Sequence, residues 1–415
     1  MTSIQETPLN ATSTDVPLDP CDDATTISTE VDVSQPAVSP SETDKITTAL
    51  ETIDDDISVH SDVVFGGHHR EEYPVFDSES SLNMGKSIIY FDMDSDLDIP
   101  LSTHHSPIVC KVSSAHLALA SPVWRTMLYG NDAVKRSNAE DWVVSIDGDA
   151  PALITLFRII HYEFNKVPTR VSIDELHSIA VAISRYRCAH LVYPWAETWV
   201  NNLRKYDTAK EYYRDSRKAV FIAWVLGDAS FFVNSLRQLV LNSKLIDGRL
   251  VDAEGKLLSG MEDIHKDLPG WISTARLRIV SQMLNALNKP FRRHTSADGS
   301  FEPPFCKLGS QQKECETMML GSIVPQLIAA KLFPVPKPPE ITDSIKTLQS
   351  KINKIKYTPY EGRDWMPHLS HVGCSLGYSE AAQESVANMR IPLDLDFMIE
   401  LHLRAHVSGV EKSQG

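Results

Sequence analysis

The stretch VCKVSSAHLALASPVWRTML, residues 109–128, decides the fold that the sequence predicts. Residues 109–112 predict a short strand, and the two serines that follow end it. A small helix comes next, and a second helix is expected to begin at Ser121-Pro122. Serine can cap the free amides of a helix, and proline at the first helical position costs no hydrogen bond. The second helix is expected to pack inward through one apolar face, formed by Val123, Trp124, Met127 and Leu128.

Short elements are predicted on both sides of this stretch. The predicted strands cover residues 87–91, 98–102 and 142–146. The next helices are expected over residues 151–161, over 172–187 and from 194 onward. Their starts are marked by Asp149 as a cap, by Ser172 and Glu175 as a capping box, and by Pro194.

Beyond residue 205 the sequence is mostly helical. Thr208 and Glu211 form a second capping box, and that helix is expected to stop at Gly227. Asp228 is a cap for the helix after it. One face of this helix carries the side chains of Phe231, Phe232, Ser235, Leu236, Leu239 and Val240.

The rest of the C-terminal region shows helices separated by irregular stretches. Residues 271–288 predict a helix, whereas residues 243–269 and 288–304 predict loops. A long amphipathic helix is then marked by Ile341, Ile345, Leu348, Ile352 and Ile355. Packing into the core is the favoured interpretation of this stripe, and a coiled-coil partner is the alternative.

The net charge of −15 is concentrated in the N-terminal part of the chain. Residues 1–80 contain 18 Asp and Glu but only 2 Lys and Arg, whereas residues 81–415 contain 37 acidic and 38 basic side chains. We expect residues 1–80 to be a disordered acidic tail rich in serine and threonine, because such a composition cannot bury enough apolar surface. The nearly neutral remainder argues against direct nucleic-acid binding, which needs a clustered basic surface.

The sequence also predicts where the protein resides. The N-terminal residues show neither a basic start nor an apolar run, so no secretory signal is expected. No apolar stretch of membrane-spanning length occurs, so no membrane association is expected. Six scattered cysteines fit reduced thiols better than a disulfide framework. We therefore expect an intracellular protein of the cytoplasm or nucleus.

Two groups of residues together resemble a known domain. The first group is Ser113, Ser114, His116, Leu117, Leu119, Ala120, Ser121, Pro122, Val123, Trp124, Met127 and Leu128. The second group is Leu156, Phe157, Ile159, Ile160, His161, Pro168, Ser172, Leu176, Ala180, Tyr186 and Cys188. Spaced as they are, these residues resemble the BTB/POZ domain, most closely that of the fungal-type BTB proteins. The resemblance covers residues 84–205.

The resemblance implies an α+β fold and a role in protein binding. It implies a BTB/POZ domain, a small sheet with helical hairpins, over residues 84–205, followed by an α-helical domain over residues 206–415. It also implies homo- or heterodimerisation through the BTB domain, and an adaptor role that recruits a target to a cullin-type ubiquitin ligase. Residues 165–170, NKVPTR, lack the hydrophobic-x-Glu insert of cullin-binding members. This absence argues against cullin binding and so weakens the adaptor interpretation. The alternative is a transcriptional co-regulator that acts through partner binding.

The sequence offers no positive sign of catalysis. It contains no G-x-S-x-G elbow, no H-E-x-x-H helix, no C-x-x-C pair and no Rossmann glycine pattern, so we predict no enzymatic activity. His116, on the first small helix, is interpreted as structural, because no nucleophile lies near it in the sequence. The residues that carry the domain resemblance are likewise interpreted as structural, chiefly Ser113, His116, Leu119, Ser121, Pro122, Trp124, Met127 and His161.

One group of residues is a candidate metal site: Cys306, Cys315, His371 and Cys374. His371 and Cys374 have the spacing of metal ligands, whereas the eight residues between Cys306 and Cys315 are more than usual for a zinc knuckle. His368 could substitute for His371. Fungal-type BTB proteins look alike in this part of the chain. A structural zinc ion would fasten the C-terminal segment to the helix after Cys315; reduced thiols without a ligand are the alternative.

Overall fold

A computed structural model describes residues 87–102, 107–131, 142–206, 215–295, 304–309, 311–361 and 371–410. The predicted tail over residues 1–80 and the predicted capping box at Thr208 and Glu211 lie outside these ranges. The architecture is mixed α/β, mostly helical, with two small sheets. The sequence prediction of an α+β chain is therefore confirmed at this level.

The first sheet has the strand order β1-β3-β2, with β1 at Ser87–Tyr90, β2 at Leu97–Ser102 and β3 at Pro107–Val112. β3 pairs in parallel with β1 and antiparallel with β2. Alternate side chains of the β2–β3 hairpin are buried, as expected for a sheet with one covered face. These are Leu97, Ile99, Leu101, Cys110 and Val112.

The strand predicted over residues 142–146 is wrong in extent. Only Val143 forms an isolated bridge, with Asp98 of β2. Two backbone hydrogen bonds flank it: the Asp98 amide donates to the Trp142 carbonyl at 2.8 Å, and the Val144 amide donates to the Asp98 carbonyl at 3.0 Å. The segment is held to the sheet by its buried Trp142 and Val144 side chains rather than by a continuous ladder.

The two small helices after β3 form as predicted, α1 at Ser114–Ala120 and α2 at Pro122–Tyr129. Ser121 joins them to the rest of the fold. Its Oγ accepts hydrogen bonds from the amides of Val123 and Trp124, both at 3.1 Å, and donates to the Tyr186 carbonyl at 2.5 Å. One hydroxyl thus caps α2 and fixes it to the end of a later helix.

Ser121→Ala is expected to lower the free energy of unfolding by about 2 kcal/mol, because it removes the cap and leaves a buried carbonyl without its partner. Urea denaturation measures this. Ser113→Ala is the matched control, since Ser113 caps α1 through one longer contact, 3.4 Å to the His116 amide. Equal losses in the two variants would contradict the dual role of Ser121.

The helices that follow are α3 at Ala150–Ile160, α4 at Ile173–Arg185 and α5 at Ala196–Tyr206. Asp149 caps α3 by accepting from the Ala152 amide at 3.3 Å. At the start of α4, both halves of the predicted capping box form: the Glu175 amide donates to Ser172 Oγ, and the Ser172 amide donates to the Glu175 carboxylate. The predicted starts of these helices are confirmed to within two residues.

His161, which ends α3, is held by hydrogen bonds at both ring nitrogens. Its Nδ1 lies 2.9 Å from the Phe157 carbonyl, and its Nε2 accepts from the Ser113 amide at 3.0 Å. This pattern requires a neutral ring with the proton on Nδ1. Burial accordingly lowers the pKa of His161.

Stability is expected to fall as the pH drops below about 6.5, the pKa of an unfolded histidine. The folded pKa of His161 is lower, so the folded state resists a proton that the unfolded state accepts. Burial also lowers the pKa of His177, which adds to the same loss. Urea midpoints between pH 5 and 8 test this: His161→Gln should flatten the profile, and an unchanged slope would contradict the assignment.

The C-terminal helices are α6 at Ser216–Leu226, α7 at Ala229–Asn242, α8 at Leu268–Thr295, α9 at Gln312–Ala329, α10 at Ile345–Lys354, α11 at Tyr378–Ala387 and α12 at Leu395–Ser408. The predicted face of α7 is buried in full, and Asp228 caps it. The predicted stripe from Ile341 to Ile355 is buried as well, which confirms core packing over a coiled coil. The helix itself is shorter than predicted, since Ile341 and Ile355 lie outside α10.

Two predicted loops are wrong in part. The stretch 243–269 contains a hairpin, β4 at Lys244–Ile246 and β5 at Arg249–Val251. The stretch 288–304 is helical up to Thr295, because α8 continues through Pro290. A proline removes one backbone hydrogen bond, and the buried face of this 28-residue helix offsets that cost.

Residues from both predicted domains contribute to one continuous hydrophobic core. The part of the chain from Ser80 to Gly415 forms one compact unit, in which α4 contacts α6. The domain boundary between residues 205 and 206 stays a prediction. Among the described helices, none combines the length and apolar character needed to cross a membrane.

Candidate metal centre

Three separate segments bring the four predicted ligand residues together. Cys306 lies in the segment 304–309 after α8, Cys315 lies in the first turn of α9, and His371 and Cys374 lie in the turn before α11. All four side chains are buried. One potential ligand atom from each residue lies within 4.8 Å of all the others.

The distances between these atoms fit a tetrahedral ion. Cys306 Sγ lies 3.7 Å from Cys374 Sγ, and His371 Nδ1 lies 3.2 Å from Cys306 Sγ and 3.8 Å from Cys374 Sγ. Zinc bonds of about 2.3 Å to sulfur and 2.0–2.1 Å to nitrogen place tetrahedral ligands about 3.8 Å apart for two sulfurs and about 3.5 Å apart for sulfur and nitrogen. The buried cluster could therefore hold a metal ion without large movement.

The Cys306 and Cys315 thiols are held in the protonated form when no cation is bound. Burial raises the pKa of Cys306 to about 12 and also raises the pKa of Cys315. The Cys306 thiol donates to the Leu308 carbonyl at 3.2 Å. A metal ion would displace such protons, because thiolates rather than thiols are its ligands. The Lys307 amide donates to Cys374 Sγ at 3.4 Å, which would stabilise a thiolate.

The His371 ring presents one nitrogen to the sulfurs and the other to the protein interior. The His371 ring makes a T-shaped contact with the Tyr360 ring, with the ring centroids 5.5 Å apart. Nε2 is buried and has no hydrogen-bond partner among the described residues. A proton on Nε2 leaves the Nδ1 lone pair free for a cation. His368, the predicted substitute, lies outside the described ranges.

Glu316 is a supporting residue that the sequence did not reveal. Its buried carboxylate accepts hydrogen bonds from the amides of Phe305 at 2.8 Å and Cys306 at 3.3 Å. The other oxygen pairs with Arg293 Nε of α8 at 3.3 Å. Glu316 therefore fixes the backbone of one ligand, Cys306, to the helix that carries the next ligand, Cys315. Only its position beside Cys315 could have indicated this role.

Glu316→Gln is expected to weaken metal binding by about 10–100-fold, the usual effect of losing a residue that orients a ligand. Competition with a chromophoric chelator measures the affinity. Glu314→Gln is the matched control, because Glu314 is exposed on the same turn of α9. The same affinity in both variants would show that the carboxylate does not support the centre.

The residues that carry the domain resemblance are brought together elsewhere, around α1 and α2. Ser113 and Ser121 cap these helices, Pro122 opens α2, and Trp124 is buried. Met127 is half-buried, and Leu119 is exposed. His116 Nδ1 lies 3.7 Å from the Asp92 carboxylate. His116, Asp92 and His161 are close together, but the hydrogen bonds of His161 engage both its nitrogens, which leaves none for a cation.

A row of aromatic rings lies on the surface beside His116. Tyr162 contacts the His116 ring at 5.8 Å, Phe164 lies 6.0 Å from Tyr162, and Trp195 lies 5.6 Å from Phe164, all between centroids. Tyr162 is 66 % exposed and Phe164 is 50 % exposed. Tyr162 adopts a left-handed backbone conformation with φ of 64°, which is uncommon for a bulky residue. We call Tyr162, Phe164 and Trp195 the aromatic row.

Comparison with known proteins gave no match. A scan against protein-family models found none, and neither did searches among curated proteins and solved structures. The resemblance to BTB/POZ domains therefore rests on the residues that carry it.

Proposed function

We propose that the protein is a non-enzymatic protein–protein interaction module of the BTB/POZ type. The aromatic row is the observation that carries this proposal. Exposed aromatic side chains in a contiguous patch are typical of binding surfaces, because tyrosine and tryptophan dominate the energetics of interfaces. The strained backbone of Tyr162 also supports a binding surface here, since strain of this kind clusters at functional sites.

The BTB-type proposal includes two candidate roles. In the first, the protein is an adaptor that dimerises through residues 84–205 and brings a target to a cullin-type ubiquitin ligase. In the second, it is a transcriptional co-regulator that binds chromatin proteins rather than nucleic acid. The near-neutral charge of residues 81–415 supports partner binding over direct contact with nucleic acid in both cases.

Affinity purification from native extract tests the proposal and separates the two roles. The baits are the wild-type chain, a Tyr162→Ser/Phe164→Ser variant and an Ile246→Ser/Leu257→Ser control. The control residues are exposed to a similar degree but lie elsewhere: Ile246 is in β4, and Leu257 forms an isolated bridge with Val251 of β5. We expect partners to be lost only with the first variant. Cullin among them favours the adaptor, chromatin factors favour the co-regulator, and identical recovery with all three baits contradicts the proposal.

We propose in addition that the cluster of Cys306, Cys315, His371 and Cys374 binds one structural zinc ion. The ligand distances and the soft donor set support zinc, and four protein ligands leave no open position for catalysis. Elemental analysis of protein purified without chelator tests this. One equivalent of zinc is expected in the wild type and none in a His371→Ala/Cys374→Ser variant. Less than about a tenth of an equivalent in the wild type, or full content in the variant, contradicts the proposal.

A further inference from the structure

A cleft of about 530 Å³ lies where the end of α4 meets α12. Two of its lining side chains, Ile183 and Val225, are buried, whereas those of Leu403 and Val407 are at least half exposed. With Ala189, these residues make the apolar part of the lining entirely aliphatic. A volume of this size is typical of sites for small molecules, which are held by apolar walls and a few polar groups.

The charged groups of the cleft leave one positive charge without a counterpart. The lining carries Arg187, Arg404 and Glu400. Arg404 donates to Glu400 at 2.9 Å and lies over the Trp224 ring, 3.9 Å from its centroid, so the charges of Arg404 and Glu400 compensate each other. The Arg187 side chain is exposed and has no hydrogen-bond or ion-pair partner among the described residues. The cleft can therefore match one negative charge of a ligand.

The backbone conformation of Arg187 is one that glycine usually adopts. Arg187 follows the end of α4 with a φ of 50°. Its amide donates to the Ser184 carbonyl at 3.3 Å, and the Cys188 amide donates to the Ile183 carbonyl at 2.9 Å. These two hydrogen bonds form the helix-ending motif whose left-handed residue is most often glycine, because a side chain there is strained. An arginine at this position lowers stability, and strained residues of this kind cluster at functional sites.

We propose that the cleft binds a small aliphatic monocarboxylate. The Arg187 guanidinium donates to the carboxylate, and the planar shape of both groups allows two parallel hydrogen bonds. Ser184 and His190 also line the cleft and supply further hydrogen-bonding groups. The alkyl chain packs against the side chains of Leu403 and Val407. The site shares no residue with the aromatic row or the cysteine cluster, and it goes beyond the proposed interaction function.

Calorimetric titration of the full chain with octanoate and with 1-octanol tests the site. The two probes have the same chain length, but only octanoate is charged at neutral pH. We expect one octanoate to bind per chain and 1-octanol to bind about 10–100-fold more weakly, the usual effect of losing charge-assisted hydrogen bonds. Equal affinities for the two probes, or no saturable binding of octanoate up to about 1 mM, would overturn the proposal.

Arg187→Gly separates ligand binding from folding. Glycine suits the left-handed backbone, so this variant is expected to melt at or above the temperature of the wild type. It should nevertheless bind octanoate about 10–100-fold more weakly, because the guanidinium is gone, while its affinity for 1-octanol stays the same. Leu403→Ser should weaken the binding of both probes, because the alkyl chain loses part of its apolar wall.

Arg185→Gln and Leu395→Ser are the matched controls. Arg185 is an exposed arginine two residues before Arg187, and Leu395 is an exposed apolar residue two turns before Leu403 on α12. Neither lines the cleft, so both variants should bind octanoate as the wild type does. Octanoate binding that is unchanged in Arg187→Gly, or that is weakened equally in Arg185→Gln, would overturn the proposal.

Discussion

Trp124→Ala is expected to lower the free energy of unfolding by about 3–5 kcal/mol, the usual cost of truncating a large core side chain. Trp124 is buried on α2, its ring stacks on Tyr186 with centroids 4.6 Å apart, and Phe157 lies 6.1 Å away. The truncation would leave a cavity between three helices that relaxes only in part. Chemical denaturation of the full chain measures the change.

Trp124→Phe is the matched control for this cavity. The indole Nε1 is buried without a hydrogen-bond partner among the described residues, so phenylalanine, which lacks this nitrogen, loses ring volume but no hydrogen bond. We expect the phenylalanine variant to lose less than half as much stability as the alanine variant. If the alanine variant unfolded at the same denaturant concentration as the wild type, the core would not depend on this residue.

Cys315→Ser is expected to release the proposed zinc and to lower the free energy of unfolding by on the order of 4–5 kcal/mol, a size typical of losing a metal site. Cys315 is buried on α9, and the other ligands come from segments that regular secondary structure does not hold. The loss should appear together with early proteolytic cleavage near residues 304–309 and 371–377.

Cys188→Ser separates metal loss from the cost of placing a hydroxyl in the core. Cys188 is as buried as Cys315, and burial raises its pKa to about 12, but it lies outside the cluster. We expect a smaller loss of stability and unchanged zinc content in this variant. If both variants lost the same amount of stability and kept the same zinc content, Cys315 would act only as a core residue.

Local signals in the sequence predicted helix starts well. The caps at Ser121, Asp149, Ser172 and Asp228 all form, because each depends on a hydrogen bond between residues two or three positions apart. Such bonds require no knowledge of the tertiary fold. The apolar stripe of α10 was predictable for the same reason, since its period alone defines the buried face.

Contacts between distant residues were harder to predict. The segment at Val143 depends on Asp98, far earlier in the chain, and its sequence does not contain that partner. The β4–β5 hairpin was predictable in principle, because Asp247-Gly248 takes the left-handed conformations that a tight turn requires, with φ of 49° and 75°. Surrounding polar residues made this stretch resemble a loop.

The candidate metal centre shows the same difference between features that depend on local sequence and features that depend on distant contacts. Residue type and spacing identified its four ligand residues, because zinc accepts few kinds of donor. Glu316 was not identified, since its role depends on the amides of Phe305 and Cys306, which only the folded chain brings to it. The aromatic row was also missed, because its rings come from separate turns after α3 and before α5.

The position of Phe397 has a consequence for synthesis of the chain on the ribosome. Its ring stacks on Trp224 at 4.9 Å and contacts Phe232 at 5.0 Å, so α12 covers an aromatic surface built by α6 and α7. At about 5–20 residues per second, roughly 10–30 s pass between translation of Phe232 and of Phe397. During that interval the nascent chain is expected to expose these rings, which makes α6 and α7 a natural binding site for chaperones.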